Sequence, residues 1–328
     1  MLELKVSADA SGQRLDKFLR RALKDVPLSH VYKLLRTRKV RVNGTRGHGE
    51  QLLAEGDTVV VRADEARLLG PARAVPAAGG EVAVTFRVLF EDEHLLAVDK
   101  PAGLAAHPGT GITGATLVEE ARAYLRVPPD LPSTEFRPSP AHRLDRETSG
   151  VVLVAKTRRC MVRLTEIFTS GEAVRKSYLA LVKGKMPRTE GTIDLALSEH
   201  EQTARSKAQR GVNFQAATTH YRAVSAMREA SLLQLRIETG RTHQIRRHLQ
   251  AVGHPVAGDP RYGDFPFNHL ARTRWGLRRM FLHAWKLSLP HPVSDRPLRV
   301  VAPVPDELLA VLRKMNLAPP AGVGEPER

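Results

Sequence analysis

Short apolar stripes interleave with basic positions over the first 65 residues. Between Arg14 and Lys24, Leu15, Phe18, Leu19 and Ala22 recur at the spacing of one helix face, with Ser11 placed as a cap. A second short helix is expected after Pro27, where Val31, Leu34 and Leu35 are apolar and Tyr32, Lys33 and Arg36 polar. Val40-Arg41-Val42 reads as a strand closed by an Asn43-Gly44 turn, and Thr58 to Val61 as another strand. From Ala66 to Gly80 the chain is rich in Ala, Pro and Gly and has no period, which marks a linker over 66–81. Beyond it, strand-like runs recur at Thr85 to Phe90, Leu95 to Val98, Val151 to Ala155, Tyr178 to Val182 and Leu232 to Ile237. Helical patterns lie around Thr116 to Leu125, Met161 to Phe168 and His243 to Val252. The expected fold class is α+β: a small N-terminal domain over 12–65, a mixed α/β domain over 82–314, and a disordered, proline-bearing tail over 315–328.

Charge changes the picture. The chain carries 51 Lys and Arg against 35 Asp and Glu, a net +16 over 328 residues. Between Arg14 and Arg46 there are 11 basic and 2 acidic residues, more than half of the whole surplus. A charge run is commonly just a solvated face. Concentrated on two short helices and a strand, this one points to a polyanion, because neutralised phosphates release counterions and drive association. Arg14, Lys17, Lys33, Arg36, Lys39 and Arg41 are the candidates for that contact.

Other classes drop out. The lone Cys160 excludes an internal disulfide and a cysteine-cluster metal site. No apolar run approaches the roughly 18 residues of a membrane span, so a cytoplasmic location without a membrane partner is expected. There is no phosphate-cradling glycine loop, no dinucleotide fingerprint and no metal-ligand spacing among the 13 histidines, so neither cofactor nor metal is expected. A monomer is the default expectation.

Three blocks carry a resemblance: His142-Arg143-Leu144-Asp145-Arg146-Glu147-Thr148-Ser149-Gly150, Arg175-Lys176-Ser177-Tyr178-Leu179-Ala180, and Thr239-Gly240-Arg241-Thr242-His243-Gln244-Ile245-Arg246-Arg247-His248-Leu249. With Asp259-Pro260-Arg261-Tyr262-Gly263 and Phe281-Leu282-His283-Ala284, in that order, they resemble the RluA-type pseudouridine synthases. The basic N-terminal segment resembles an S4 domain, a small RNA-binding module. Within the family the chain looks most like the branch that modifies large-subunit ribosomal RNA. The resemblance implies a largely antiparallel central sheet flanked by helices. It also implies isomerisation of specific uridines, with 23S ribosomal RNA or an assembly intermediate as the expected partner. The same chemistry on tRNA, or a non-catalytic ribosome-assembly factor, stays open as an alternative.

Turning uridine into pseudouridine breaks the N-glycosidic bond and rejoins the base through carbon, with no net redox change. The step needs an ionised carboxylate at the anomeric carbon, acting as a nucleophile on C1′ or as a base at C2′. Asp145 lies in a polar loop just ahead of the all-apolar run Val151 to Ala155, which can fix its position. An aspartate in such a loop more commonly caps or pairs; the resemblance makes it the catalytic carboxylate. It also makes Arg241, in the turn ahead of a helix capped by Thr242, the partner of that carboxylate. Tyr178, which by spacing alone reads as core, becomes the ring that stacks on the flipped base and assists proton removal at C5. Arg143 is expected to fill the vacated stack, while Arg146, Lys156, Arg158, Arg159, Arg246, Arg247, Arg278 and Arg279 are expected along the RNA path. A paired-carboxylate glycosidase lacks a second positioned acid: Glu147 is only two residues further along the same loop.

Overall fold

The computed structural model describes residues 1–24, 26–62, 82–109, 111–198 and 214–320. The expected linker over 66–81 lies wholly outside the described residues. The chain divides into two compact units. The first comprises Met1–Val84, Glu119–Ser139 and Ala155–Val162, and the second Thr85–Val118, Pro140–Val154 and Arg163–Arg328.

In the first unit, helices Leu15–Ala22 and Leu28–Arg36 turn their apolar faces inward, burying Leu15, Phe18, Leu19, Val31, Leu34 and Leu35. They share that core with Val40, Val42, Val59 and Val61. These valines come from a sheet ordered Leu2–Lys5, Thr58–Val61, Val40–Val42, Thr45–Arg46. The turn between the last two is Asn43-Gly44, both at positive φ as such a two-residue hairpin requires. Ser11 does not cap the first helix. The N-cap is Arg14, whose side chain makes no capping bond, because the first amides are taken elsewhere: Leu15 N–H donates to the Gln51 carbonyl, Asp16 N–H to Gly49, and Lys17 N–H to the Asp16 carboxylate. Stretches from well beyond residue 82 also pack here. Asp9 accepts from the backbone amides of Phe136 and Arg158, and its carbonyl accepts from the Arg158 guanidinium at 2.7 Å.

The second unit is built on one long sheet. Its strands lie in the order Glu190–Asp194, Thr218–Ala226, Ala230–Ile237, Arg175–Lys183, Leu282–Pro290, Ser149–Ala155, Leu95–Lys100, Arg87–Glu91, with Pro297–Val301 beside Leu282–Pro290. Most neighbours run antiparallel; Leu282–Pro290 and Ser149–Ala155 run parallel. Those two meet at Gly150, where a side-chain carbon would stand 2.2 Å from the Ala284 carbonyl oxygen, so only glycine allows the approach. One face of the sheet packs Leu179, Leu181, Leu232 and Trp285 against Phe267, Ala271 and Trp275 of helix Phe265–Trp275 and Leu308, Val311 and Leu312 of helix Asp306–Met315. Met315 and Leu317 belong to this core, so the packed chain continues past residue 314, where a tail was expected. Residues 321–328 lie outside the described residues.

Candidate active site

Asp145 sits in the loop ahead of Ser149–Ala155, a strand whose seven residues are all buried. The Thr148 amide closes the loop onto the Asp145 carbonyl at 3.1 Å. The next carbonyl, that of Arg146, accepts from the Gly103 amide at 2.8 Å and from Lys100 Nζ at 3.1 Å. Lys100 is fully buried and also donates to the carbonyls of Pro101 and Leu104, each at 2.8 Å. Burial lowers its pKa to about 7, against the charges of Glu147 and Asp145, which raise it. With three carbonyls around three N–H bonds, the ammonium form is the one this geometry satisfies.

The guanidinium on Asp145 belongs to Arg246, not Arg241. Arg246 Nη1 donates to Asp145 Oδ2 at 3.0 Å, while its Nε and Nη2 donate to the two oxygens of Asp259 at 2.7 and 2.9 Å. Asp259 is fully buried. Burial would raise its pKa, but bonds from Arg246 and from the amides of Tyr262 and Arg261 outweigh it and hold the carboxyl below the usual range. Burial likewise opposes the charge on Arg246, yet the two carboxylates raise its pKa well above ordinary. The guanidinium lies 5.0 Å from the Tyr262 ring centroid, and the Tyr262 hydroxyl meets His243 Nδ1 at 3.1 Å. His243 Nε2 stands 3.6 Å from the other Asp145 oxygen, Oδ1. Asp145 is therefore hydrogen-bonded to Arg246 at one oxygen and faces His243 at the other, with 22 % of its side chain exposed.

Arg241 lines the same cleft but is exposed, and its Nε points to the Ala216 carbonyl at 3.4 Å. Nor does Thr242 cap the following helix, which runs Gln244–Ala251 behind a left-handed His243. No side chain caps that helix; the Gln244 amide donates to the Arg241 carbonyl at 3.0 Å. The Gln244 side chain ties the preceding turn to the sheet: its Oε1 accepts from the Arg241 amide and the Thr239 hydroxyl, and its Nε2 donates to Thr218 and Thr219. Arg246, expected along the RNA path, is buried instead, and Arg247 donates to the carbonyl and hydroxyl of Ser198 at 3.1 and 2.9 Å.

The cleft is walled by Arg143, Leu144, Asp145, Thr148, Tyr178, Ile237, Gly240, Arg241, His243 and Arg246, among others. Tyr178 stands on strand Arg175–Lys183, on the face opposite Leu179 and Leu181. Burial, with Asp145 adding to it, raises the phenol pKa, so the hydroxyl is protonated at neutral pH. Arg143 is exposed at the rim; Arg146 is exposed too, and pairs with Glu147 at 2.9 Å. Arg158 and Arg279, also expected along the RNA path, bond internally, Arg279 to Ser149 and Glu307. In the N-terminal unit Lys17, Lys33, Arg36, Lys39 and Arg41 are exposed, whereas Arg14 is tied to Asp16 at 2.7 Å. His243, Asp259 and Tyr262 belong to the site although nothing in their spacing along the chain marks them for it. Among the described residues no three His, Cys, Asp or Glu gather to hold a metal ion. No helix there is long and apolar enough to cross a membrane.

The RNA pseudouridylate synthase family profile matches residues 94–251, and the S4 domain profile matches residues 13–59. The chain is 36% identical over 312 residues to ribosomal large subunit pseudouridine synthase C of Vibrio vulnificus (strain CMCP6), covering 95% of each protein. The chain belongs to the RNA pseudouridine synthase family. The Escherichia coli (strain K12) ribosomal large subunit pseudouridine synthase C is 37% identical over 322 residues, covering 95% of this chain and 96% of that protein. The Nitrosomonas europaea synthase D is 36% identical over 330 residues, with 99% and 91% covered. Among solved structures, human RNA pseudouridylate synthase domain containing 1 superposes with a TM-score of 0.55 at 26% identity, covering 69% of this chain and 86% of its own. As a member of this family, the chain is an RNA-modifying isomerase with an S4 RNA-binding domain at its N-terminus.

Proposed function

We propose that this enzyme converts specific uridines of 23S large-subunit ribosomal RNA to pseudouridine, with Asp145 as the catalytic carboxylate. The observation that carries the reading is the placing of Asp145: anchored to Arg246 at one oxygen, partly exposed, and lining one cleft with Tyr178. The bacterial relatives are named ribosomal large subunit pseudouridine synthases, which favours that RNA. In this reading the target nucleotide is extruded from its stack, since its anomeric carbon is out of reach in a helix. Arg143, exposed at the cleft rim, enters the space it leaves. The base lies against Tyr178, as unstacked bases do on aromatic platforms. Asp145 attacks C1′ or removes the C2′ proton as the N1–C1′ bond breaks; the base turns, and C5 bonds to C1′ as the Asp145–C1′ bond breaks or, on the other route, as the proton returns from Asp145 to C2′. The C5 proton is lost and N1 gains one, so the product is an isomer and nothing is consumed. The exposed cations of the S4 domain, Lys17, Lys33, Arg36, Lys39 and Arg41, hold flanking RNA by its phosphates.

The test is site mapping on unmodified large-subunit transcript, without added cofactor or metal, by reverse-transcription stops at carbodiimide adducts. Discrete stops that vanish in Asp145→Asn are expected. Stops that persist in that variant would overturn the assignment of Asp145. Their absence from ribosomal RNA, with tight binding intact, would move the reading to another RNA or to an assembly factor.

A further inference from the structure

Side chains alternate across a strand, so Lys176, two residues before Tyr178, shares its face of the sheet. Lys176 is opposite Ile237 in the ladder, as Tyr178 is opposite Leu235. Ile237 and Tyr178 both line the cleft. So does Gly240, where a side-chain carbon would stand 3.9 Å from Lys176 Nζ. The ammonium thus lies beside residues that line the site already described, and it is half-buried. Its neighbours offer no counter-charge. Nζ lies 4.8 Å from the Phe168 ring centroid, and the His142 ring packs on Phe168 with centroids 5.0 Å apart. Burial, then Lys176 itself, pushes His142 down to about 3, so it is neutral. Among the described residues no carboxylate contributes to the electrostatics of Lys176, and burial alone lowers its pKa. A desolvated ammonium with only an aromatic face beside it is unfavourable in the free protein. The arrangement becomes favourable once an anion arrives.

We propose that Lys176 is a phosphate-binding residue of the cleft, receiving a backbone phosphate of the RNA strand that threads past Tyr178. The inference rests on the RNA reading above and adds to it a fixed contact on the floor strand of the site. The alternative role, a lysine kept for packing its stem on Phe168, makes the opposite prediction for stability.

The test uses the full-length protein with Lys176→Met, which keeps an unbranched apolar stem, and Lys176→Arg, which keeps the charge. The probe is a large-subunit transcript fragment, with affinity measured across salt concentrations. For Lys176→Met the expected result is roughly tenfold weaker binding near 0.1 M salt and a salt slope shallower by about one phosphate contact. Its thermal midpoint should equal or exceed that of the wild type, and Lys176→Arg should retain the affinity. A methylphosphonate at the phosphate beside the target uridine should weaken the wild type by the same factor and Lys176→Met no further. Unchanged affinity and slope in Lys176→Met, or a lowered midpoint that accounts for the loss, overturns the proposal. If the wild type binds the fragment but forms no pseudouridine, the functional reading fails, while the salt slope still decides for or against the phosphate contact.

Discussion

Replacing Asp259 with Asn tests whether the buried carboxylate is what holds Arg246 in place. Asp259 is fully buried and accepts four hydrogen bonds: two from Arg246 and one each from the amides of Arg261 and Tyr262. Asn can keep the amide contacts through its oxygen but presents N–H to Arg246 Nε, leaving the guanidinium half-stranded. Breaking one side of a buried ion pair costs about 3–5 kcal/mol; Asp145 remains as a partner, so the lower end, about 3, is expected. At about 2–4 °C per kcal/mol for a unit of this size, the midpoint falls by about 6–12 °C at pH 7. The sign with pH follows from the depressed pKa of Asp259. Its stabilisation is present above the unfolded carboxyl value of about 3.9 and is lost as pH falls through the folded value. The gap between wild type and variant should therefore be constant from pH 7 to about 5 and narrow below about 4. Calorimetric scans of both proteins across that range read it directly. A gap under about 1 kcal/mol at pH 7, or one that is independent of pH down to 3, refutes the reasoning.

Two further expectations concern binding and chemistry. Arg246→Lys cannot reach both carboxylates with a planar fork, and kcat on a transcript substrate should fall by about 10²-fold or more; Arg241→Ala should raise KM with a far smaller effect on kcat. Equal effects of the two on kcat would sink the placement of Arg246 as the partner of Asp145. Lys33, Arg36, Lys39 and Arg41 changed together to Gln should flatten the salt dependence of RNA binding by up to about three or four phosphate contacts and leave the thermal midpoint within a few degrees. An unchanged slope would mean these side chains are only a solvated surface.

The parts legible in the sequence were those whose signal is local. The Asn43-Gly44 turn, the stripe Leu15, Phe18, Leu19 and the buried run Val151 to Ala155 each follow from a few adjacent residues, and each forms where expected. Helix Phe265–Trp275 was missed although its signals are present: Asp264 caps it, Pro266 opens it and Gly276 ends it in the left-handed region. Its buried residues Phe267, Ala271 and Trp275 are only three, four apart, among polar neighbours, so the apolar period is faint. The error over Arg241 has a different origin. Arg241 was assigned through the family resemblance, whereas the guanidinium that reaches Asp145 is set by Asp259, which no spacing relates to Asp145. The apolar positions Ile245 and Leu249 do hold the clue, since they place Arg246 beside the buried side of its helix and Arg241 outside it. Ser11 and Thr242 failed as caps because the first amides of their helices find backbone acceptors instead, the distant carbonyls of Gln51 and Gly49 for the one and that of Arg241 for the other.

The sharing of one guanidinium between two carboxylates bears on turnover. In the proposed reaction Asp145 approaches the sugar and returns in every cycle, and a carboxylate locked in a two-pronged ion pair would resist leaving. Here Asp259 occupies the fork and Asp145 holds a single nitrogen. When Asp145 swings toward C1′ or C2′, it gives up one charge-assisted hydrogen bond, worth about 1.5–3 kcal/mol, and no cation is left stranded behind it. The same guanidinium, still fixed by its other partner, marks the place to which the carboxylate returns, so the reagent is released and re-docked while its holder stays still.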